Sequence, residues 1–414
     1  MKVLVVGNGG REHALVRGLS LDPQVSEIFA LPGNPGMAGA ATLVAGSTTD
    51  PDYVAETAIE LGVDLVVVGP EAPLVAGVAD AVRGAGIACF GPSAQAARLE
   101  GSKAFAKEVM VAAGVPTATG VHCREMSQVE DAFARFGTPY VVKEDGLAAG
   151  KGVVVTDNED AARAHAAAIF ARGGSLVVEE FLDGPEVSLF CLCDGENVVP
   201  LSPAQDFKRA LDGNDGPNTG GMGSYSPLPW APPDLVSQVV NTVAVPTVQE
   251  MARRGTPFVG LLYCGLALTS KGVRVVEFNV RFGDPETQVV IPRLASPLGQ
   301  ALFATATGKL ADFGDLQWKG TAAVDVILAS PGYPQSAQTG GKITGVTQAD
   351  ALENVHVIHA GTKREGDHLV SSGGRVLAVV GEGATVEQAR QRAYAGMALI
   401  TLEGGHYRTD IAQL

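Results

Sequence analysis

Short apolar runs alternate with amphipathic stretches over the N-terminal quarter of the chain. The runs lie at 2–6, 28–31, 65–68 and 87–90, and each is followed by a loop that contains glycine or proline. Apolar runs of this length predict buried strands, and the stretches between them predict crossover helices. We therefore expect an N-terminal Rossmann-like parallel sheet, with its loops gathered at the carboxyl edge where ligands bind.

The central part of the chain predicts antiparallel strands. Runs at 140–143 and 153–156 predict a hairpin around a glycine-rich loop, and the stretch 176–190 predicts a hairpin with its turn at 183–185. The polar, glycine-rich stretch from Asp206 to Pro227 predicts a long loop, of the kind that forms a lid or stays disordered.

The stretch VVEFNVRFGDPETQ at 275–288 alternates apolar and polar side chains. A strand here places Glu277, Asn279 and Arg281 on one face and an apolar set on the other. A carboxylate, an amide oxygen and a guanidinium at this spacing suit a hard cation and the phosphate oxygens beside it. An edge strand with a solvated polar face gives the same pattern.

The C-terminal part predicts a small α+β domain. Its strands are expected at 321–329, 355–359 and 376–380, and a final helix begins at about Val386. A predicted helix from Lys103 ends before Pro116, which indicates an earlier boundary. We therefore expect an α/β and α+β multidomain protein with three domains: 1–101, 102–310 and 311–414.

Composition and charge narrow the class of protein. With 414 residues, 46% of them hydrophobic, the chain is expected to fold into large buried cores. A formal charge of -15 argues against nonspecific binding to nucleic acid or anionic membranes, so any phosphate site must be local. Polar residues interrupt the first apolar run too early for a signal peptide, and we expect a cytoplasmic protein. Five cysteines without a CxxC pair fit a reducing compartment and argue against a zinc site.

The first loop, Gly7 to Gly10, lies between a predicted strand and a helix that starts near Arg11. Such a loop offers backbone N–H groups and a helix dipole to an anion. The dinucleotide fingerprint fails because its third glycine position holds Glu12, which disfavours a nicotinamide cofactor. A phosphate on a smaller substrate and a tight structural turn both remain open.

A second glycine-rich loop, EDGLAAGKG, follows Lys143. Its glycines free the backbone to close over a phosphate chain, and Lys143 and Lys151 supply positive charge. It is not a Walker A loop, because Gly152 stands where that motif has Ser or Thr. A flexible hairpin loop without a ligand is the alternative.

Seven motifs occur in an order that one family shares: GNGGREHAL, GPEAPL, LEGSK, VVKEDGLAAGKGV, VEEFLDGPE, GPNTGGMG and EFNVRFGDPETQ. With them the chain resembles the phosphoribosylamine–glycine ligase family (glycinamide ribonucleotide synthetases) of the ATP-grasp superfamily, over essentially its whole length. RFGDPETQ is highly specific to that family, whereas the lysines and the glycine loop are common to many ATP-grasp enzymes. The resemblance implies a central two-part ATP-grasp fold with a hairpin lid, in a lid subdomain at about 115–187.

The resemblance also implies a site for ATP and Mg²⁺, with Mn²⁺ as an alternative metal. ATP would lie between the lid hairpin and the sheet that carries Glu277, and Glu277 and Asn279 would bind the metal. The residues implied to contact phosphates are Lys103, Lys143, Gly150, Lys151 and Gly152. Those implied to hold adenine are Glu179, Glu180, Phe181 and Leu182, and Glu186 would hold the ribose.

The implied substrates are glycine and 5-phosphoribosylamine, which would give glycinamide ribonucleotide, ADP and phosphate through glycyl phosphate in de novo purine biosynthesis. Arg281 and Asp284 would be catalytic: Arg281 stabilises the transferring phosphoryl group, and Asp284 orients the amine or glycine. The other implied substrate contacts are Gly9, Gly10, Glu12, Glu71, Asp206, Lys208, Lys363 and Arg375. The last two would grip the 5-phosphate, although without the resemblance solvated surface charge explains them equally well.

The sequence departs from the family pattern at two places. The run 261–268 lacks the further metal-binding carboxylate that many ATP-grasp relatives carry, so a second fully bound metal is in doubt. Phe207 stands where family members often have His.

Three other classes of protein compete with this interpretation: a ligase that uses formate, a noncatalytic nucleotide sensor and an oxidoreductase. The oligomeric state stays open, with a monomer as one option.

Overall fold

The computed structural model describes residues 1–147 and 152–413. Five parallel strands form the N-terminal sheet in the order β3-β2-β1-β4-β5. They are β1 Lys2–Gly7, β2 Glu27–Pro32, β3 Thr42–Leu43, β4 Leu65–Val68 and β5 Ala88–Phe90. The helices of this part are α1 Gly10–Ser20, α2 Pro51–Leu61, α3 Glu71–Ala76, α4 Val78–Gly84, α5 Arg98–Gly101 and α6 Lys103–Ala112.

Both faces of this sheet are covered. Val3 and Val5 belong to one buried cluster, with apolar residues of α1, and Leu4 and Val6 belong to another, with residues of α2 and α4. Burial on two sides explains why these strands are apolar without alternation. The predicted parallel sheet is confirmed.

A second sheet follows, with the strand order β6-β9-β7-β8. Its elements are β6 Gly120–Cys123, α7 Met126–Phe136, β7 Tyr140–Glu144, β8 Val153–Thr156, α8 Glu159–Ala171 and β9 Leu176–Glu179. β7 and β8 pair antiparallel, from Tyr140 with Thr156 to Lys143 with Val153. The hairpin predicted around the glycine-rich loop is therefore confirmed.

The next strands are β10 Glu186–Asp194, β11 Val198–Pro200, β12 Gln205–Asp206, β13 Arg209–Leu211, β14 Asp215–Asn218, β15 Gly223–Ser226, β16 Val259–Thr269 and β17 Gly272–Asn279. Four of them form an antiparallel sheet in the order β11-β10-β16-β17. The hairpin predicted at 176–190 is wrong, because β9 pairs with β6 and β7 while β10 pairs with β11 and β16. Residues 180–185 instead connect two sheets.

The long loop predicted from Asp206 to Pro227 is also wrong. Short strands run through it, and β13 pairs with β14. β15 pairs with β18 Ala322–Ala329, and the Ser224 hydroxyl donates to Asp325 at 2.7 Å. These strands have two to four residues and no alternating pattern, and much of their pairing comes from distant segments, so local sequence carried little signal.

The strand predicted through Arg281 ends at Asn279. A register shift lies between the pairs of Gly265 with Glu277 and of Leu266 with Val275. Beyond the strand, the Val280 N–H donates to the Glu100 carboxylate at 2.8 Å. The predicted apolar face is confirmed, since Phe278, Val280 and Phe282 are buried.

The C-terminal part contains β18, β19 Lys342–Thr344, β20 Val355–His359, β21 Thr362–Glu365, β22 His368–Ser371, β23 Arg375–Gly383 and β24 Thr401–Leu402. Three of them join β12 and β15 from the middle of the chain in the sheet β12-β15-β18-β23-β20. The other four form the sheet β21-β22-β19-β24. The remaining helices are α9 Leu235–Val239, α10 Val245–Arg253, α11 Thr287–Val290, α12 Leu298–Ala306, α13 Leu310–Phe313, α14 Val346–Asp350 and α15 Val386–Met397. Among the described residues, no helix has the length and apolar character needed to cross a membrane.

Candidate active site

The end of β17 carries the predicted metal ligands. Glu277 and Asn279 are half-buried, and within residues 1–147 and 152–413 neither side chain forms a hydrogen bond or ion pair with another side chain. The same residues contain no group of three His, Cys, Asp or Glu side chains that could hold a metal ion. One carboxylate and one amide oxygen fit Mg²⁺, which usually keeps waters and takes its remaining ligands from substrate phosphates.

Lys143 lies on β7, close to the end of β17. Its ammonium contacts Glu179 Oε2 at 2.7 Å and donates to the Val276 carbonyl at 3.0 Å. Burial lowers the pKa of Lys143, but the carboxylates of Glu179 and Glu277 outweigh it, so the pKa lies above the ordinary value. Lys143 is therefore a buried cation at the edge of the predicted metal site.

The Glu179 carboxylate has a different environment from the one that an adenine contact requires. It is 3% exposed and is shared by Lys143 and Lys107, whose ammonium lies 2.9 Å from Oε1. Burial raises the pKa of Glu179, but the two lysines outweigh it, so the pKa is lowered. Only the backbone of Glu179 is left for a base.

The second glycine loop begins against the start of α6. Lys103 donates to the Gly146 carbonyl at 3.1 Å, and Asp145 accepts from the Ala104 N–H at 3.3 Å. Of the residues predicted for the phosphates, Gly150 and Lys151 lie outside the described residues, and the Gly152 carbonyl accepts from the Glu144 N–H at 2.7 Å.

The residues predicted at the adenine and ribose lie on the connection between the two sheets and at the start of β10. Glu180 accepts from the Thr119 N–H at 2.8 Å, Phe181 is 48% exposed, and Leu182 is partly buried. Glu186 forms an ion pair with Lys208. The charge of Lys208 lowers the pKa of Glu186, although burial opposes the shift.

Lys208 and Asp206 form a second charged group near Glu186. Burial disfavours the charge on Lys208, yet Asp206 and Glu186 hold its pKa well above the ordinary value. Burial raises the pKa of Asp206 to about 7, although Lys208 opposes the rise. The structure therefore brings Asp206 and Lys208, predicted to contact substrate, next to Glu186, predicted to hold the ribose of ATP.

Arg281 lies between two carboxylates. Its guanidinium contacts Glu100 Oε1 at 2.8 Å and Glu71 Oε2 at 3.3 Å. Burial raises the pKa of Glu100 despite Arg281, whereas Arg281 and Arg11 outweigh burial at Glu71 and lower its pKa. Glu71 was expected to face sugar hydroxyls, but here its carboxylate contacts Arg281.

Asp284 lies where three parts of the chain meet. Arg375 approaches its Oδ2 at 3.2 Å, and Gln288 donates to its Oδ1 at 2.8 Å. A Cβ atom on Gly9 or Gly10 would lie 3.6 Å from this carboxylate, so the first loop passes close to it. Burial raises the pKa of Asp284, but Arg375 and Arg11 outweigh it, and the pKa is lowered.

Two residues predicted to contact substrate, Glu12 and Lys363, form their described contacts with other protein groups and not with Asp284 or Arg375. The Glu12 carboxylate accepts from the Gly9 N–H at 2.6 Å and contacts Arg11 at 2.5 Å, so it caps its own helix. Lys363 is exposed on β21 and pairs with Glu365 at 2.7 Å. Their predicted substrate contacts stay predictions.

Sequence reasoning missed three buried residues of the site. Lys107 follows Lys103 by four residues, a spacing that places both on one face of a helix. Glu100 precedes the same helix in the quoted motif LEGSK. Glu286 accepts from the Ser188 hydroxyl at 3.0 Å and contacts the Tyr263 hydroxyl, and both partners lie far from it in sequence.

Taken together, the described part of the site combines three features. Lys143 is buried, and Glu277 and Asn279 have no side-chain partner among the described residues. Arg281 lies close in sequence to Asp284, which Arg375 contacts. Cations and metal ligands of this kind neutralise phosphate charge, and phosphoryl transfer depends chiefly on positioning and neutralisation. The described site therefore suits transfer of a phosphoryl group near Arg281 and Asp284.

Family models match almost all of the chain. They are described as the N domain (residues 1–100), the ATP-grasp (A) domain (101–287) and the C domain (323–414) of phosphoribosylglycinamide synthetase. A phosphoribosylamine–glycine ligase of Streptomyces coelicolor is 63% identical over 414 residues, which cover 100% of this chain and 99% of the relative.

Solved structures also match the chain, one of them a ligase of the same name as the relative from Streptomyces coelicolor. The crystal structure of a phosphoribosylamine–glycine ligase from Thermotoga maritima matches with a TM-score of 0.86 and 32% identity, over 99% of this chain and 100% of that one. A biotin carboxylase domain from Hydrogenobacter thermophilus, crystallised with MgADP and bicarbonate, shares the fold at 18% identity, with a TM-score of 0.72 over 98% of this chain and 91% of its own.

Proposed function

The chain belongs to the phosphoribosylglycinamide synthetase family, whose members include ATP-grasp ligases, and on this premise we propose that it joins glycine to 5-phosphoribosylamine. The products are glycinamide ribonucleotide, ADP and phosphate, in de novo purine biosynthesis. The observation that carries the proposal is the position of Asp284, between Arg375 and the first glycine loop and close in sequence to Arg281.

The chemistry requires activation of glycine. A carboxylate resists attack by an amine because its charge is delocalised and its oxygen leaves poorly. A glycine oxygen attacks the γ-phosphorus of ATP and releases ADP, and the amine of phosphoribosylamine then displaces phosphate from glycyl phosphate. No nucleophilic Ser or Cys is needed, because the protein acts by positioning and charge neutralisation.

Arg281 and Asp284 act at the reacting atoms. Arg281, which Glu100 and Glu71 hold, neutralises charge on the transferring phosphoryl group and the glycine carboxylate. Asp284 is ionised at neutral pH, since its pKa is lowered, and orients an amine by accepting its hydrogen bond.

The nucleotide lies between β17 and the sheet β6-β9-β7-β8. Lys103, Lys143 and Gly152 contact its phosphates, and so do Gly150 and Lys151, which lie outside the described residues. Residues 179–182 contact adenine, with the exposed Phe181 ring available for stacking. Glu277 and Asn279 would hold Mg²⁺, which would neutralise charge on the phosphates. Mn²⁺, with similar preference for oxygen ligands, is expected to substitute.

Phosphoribosylamine lies against the N-terminal sheet. Gly9 and Gly10 line its site, with the Gly10 N–H as the backbone donor because Glu12 holds the Gly9 N–H, and Arg375 and Lys363 approach its 5-phosphate from the C-terminal part. We retain the three domains 1–101, 102–310 and 311–414, a cytoplasmic location and a monomer as working proposals. Gel filtration with light scattering tests the last of these.

A substrate panel tests the function. ADP release is measured with ATP, Mg²⁺ and each pair of glycine or formate with phosphoribosylamine or glycinamide ribonucleotide. We expect release only when glycine and phosphoribosylamine are both present, with glycinamide ribonucleotide formed in equal amount. Formate-dependent release without glycine would identify a ligase of the competing type, and binding of ATP without turnover in any mixture would identify a nucleotide sensor.

A further inference from the structure

A buried cluster of two lysines and one glutamate connects α6 with the strand that carries the metal ligands. Glu179 accepts from Lys107 at Oε1 and from Lys143 at Oε2, at 2.9 and 2.7 Å. Thr117, which also accepts from Lys107, donates to the Val275 carbonyl at 2.7 Å. The cluster therefore spans α6, β7, β9 and β17.

The two lysines differ in the donors that they have left. The Lys107 ammonium uses its three donors on Glu179, the Thr117 hydroxyl at 2.8 Å and the Ala118 carbonyl at 2.7 Å. Lys143 has two described contacts, with Glu179 and the Val276 carbonyl, and keeps one donor. Lys143 can therefore bind a phosphate oxygen, whereas Lys107 can act only through Glu179.

The charges of the cluster explain why a second lysine is useful. Glu179 and Lys143 alone would form a neutral pair, in which the carboxylate cancels the field that Lys143 offers to a nucleotide. With Lys107 the cluster has two cations and one anion, and one positive charge remains. Charges interact strongly in this setting, because Lys107 is 15% and Lys143 7% exposed.

We propose that Lys107 is a positioning residue for nucleotide binding: it occupies and neutralises Glu179, so that the charge of Lys143 is available to the phosphates of ATP. The proposal rests on the proposed function only in taking ATP as the nucleotide. It does not depend on the identity of the carboxylate or the amine.

The test measures binding of a nonhydrolysable ATP analogue with Mg²⁺ by titration calorimetry, so it is independent of ligation. Lys107→Met should weaken binding by about tenfold, because it removes the net charge of the cluster. Lys107→Arg should bind like the wild type. Lys2→Met, which removes a lysine from an exposed pair with Glu27 at the same distance of 2.9 Å, should also leave binding unchanged.

A double variant distinguishes an electrostatic role of Lys107 from a purely structural one. Lys107→Met combined with Glu179→Gln removes one cation and one anion, which restores the net charge, so binding should return to within about threefold of the wild type. A purely structural role predicts the opposite, since the double variant has lost more contacts. Wild-type binding by Lys107→Met, or a double variant as weak as the single one, would overturn the proposal. If Lys107→Met does not fold, Lys107→Gln decides, because it keeps a polar donor for Thr117 and Ala118 and removes only the charge: it should weaken binding by about tenfold, and wild-type binding overturns the proposal.

Discussion

Arg375 is expected to control the affinity for phosphoribosylamine without controlling that for ATP. Its guanidinium lies 3.2 Å from Asp284 Oδ2 and donates to the carbonyls of Gly220 at 2.6 Å and Asp284 at 2.7 Å. Arg375→Ala therefore removes an ionic contact from a buried carboxylate together with the proposed 5-phosphate contact. Hydrogen bonds of this type contribute about 1.5–3 kcal/mol, which corresponds to a rise in KM of roughly 10- to 100-fold.

The assay is steady-state ADP release, with each substrate varied at saturating levels of the others. The chain offers a matched control in Arg364→Ala, which removes an exposed arginine of β21 that has no proposed contact with substrate. Surface substitutions of this kind change free energies by about 0.5 kcal/mol or less, so the KM for phosphoribosylamine should change by less than about threefold. An equal rise in KM for ATP and phosphoribosylamine in Arg375→Ala would refute this reasoning.

Three further predictions concern the metal, the arginine and pH. Glu277→Gln should lower kcat at least about 100-fold with an unchanged unfolding midpoint, because it removes the carboxylate ligand, and wild-type turnover at limiting Mg²⁺ would contradict the assignment. Glu100→Gln should lower kcat more than Glu71→Gln, because the contact of Glu100 with Arg281 is shorter and more buried; a larger effect of Glu71→Gln on kcat would reverse the order. Asp206 has a raised pKa of about 7, so the folded state binds the extra proton below that pH. Its contribution to stability is present at low pH and lost as pH rises towards 7, and urea unfolding of Asp206→Asn should lack this loss.

The elements that could be predicted from sequence are those with strong local patterns. The parallel strands of the N-terminal sheet are apolar because they are covered on both faces, and the hairpin of β7 and β8 follows from adjacent runs around glycines. Local periodicity was not sufficient between 176 and 227. There β10 and β15 pair with strands that are distant in sequence, and the turn residues do not indicate which sheet each strand joins.

The site shows the same division. Strand alternation places Glu277 and Asn279 on one face of β17, and the motif VVK places Lys143 on the strand β7. The partners of charged groups were harder to predict, since Glu179 pairs with Lys107 on another element and Arg281 with Glu100 across 181 positions of sequence. Such pairs depend on how the sheets pack, which a single sequence pattern does not encode.

Transfer of a glycine oxygen to phosphate tests the proposed reaction most directly. Glycine that carries heavy oxygen in both carboxylate positions is turned over with ATP and phosphoribosylamine, and the phosphate is analysed by mass spectrometry. Each phosphate should contain one heavy oxygen and the glycinamide product should retain the other, because the bond broken in the second step joins the acyl carbon to the bridging oxygen. Phosphate without heavy oxygen would contradict activation of glycine as glycyl phosphate.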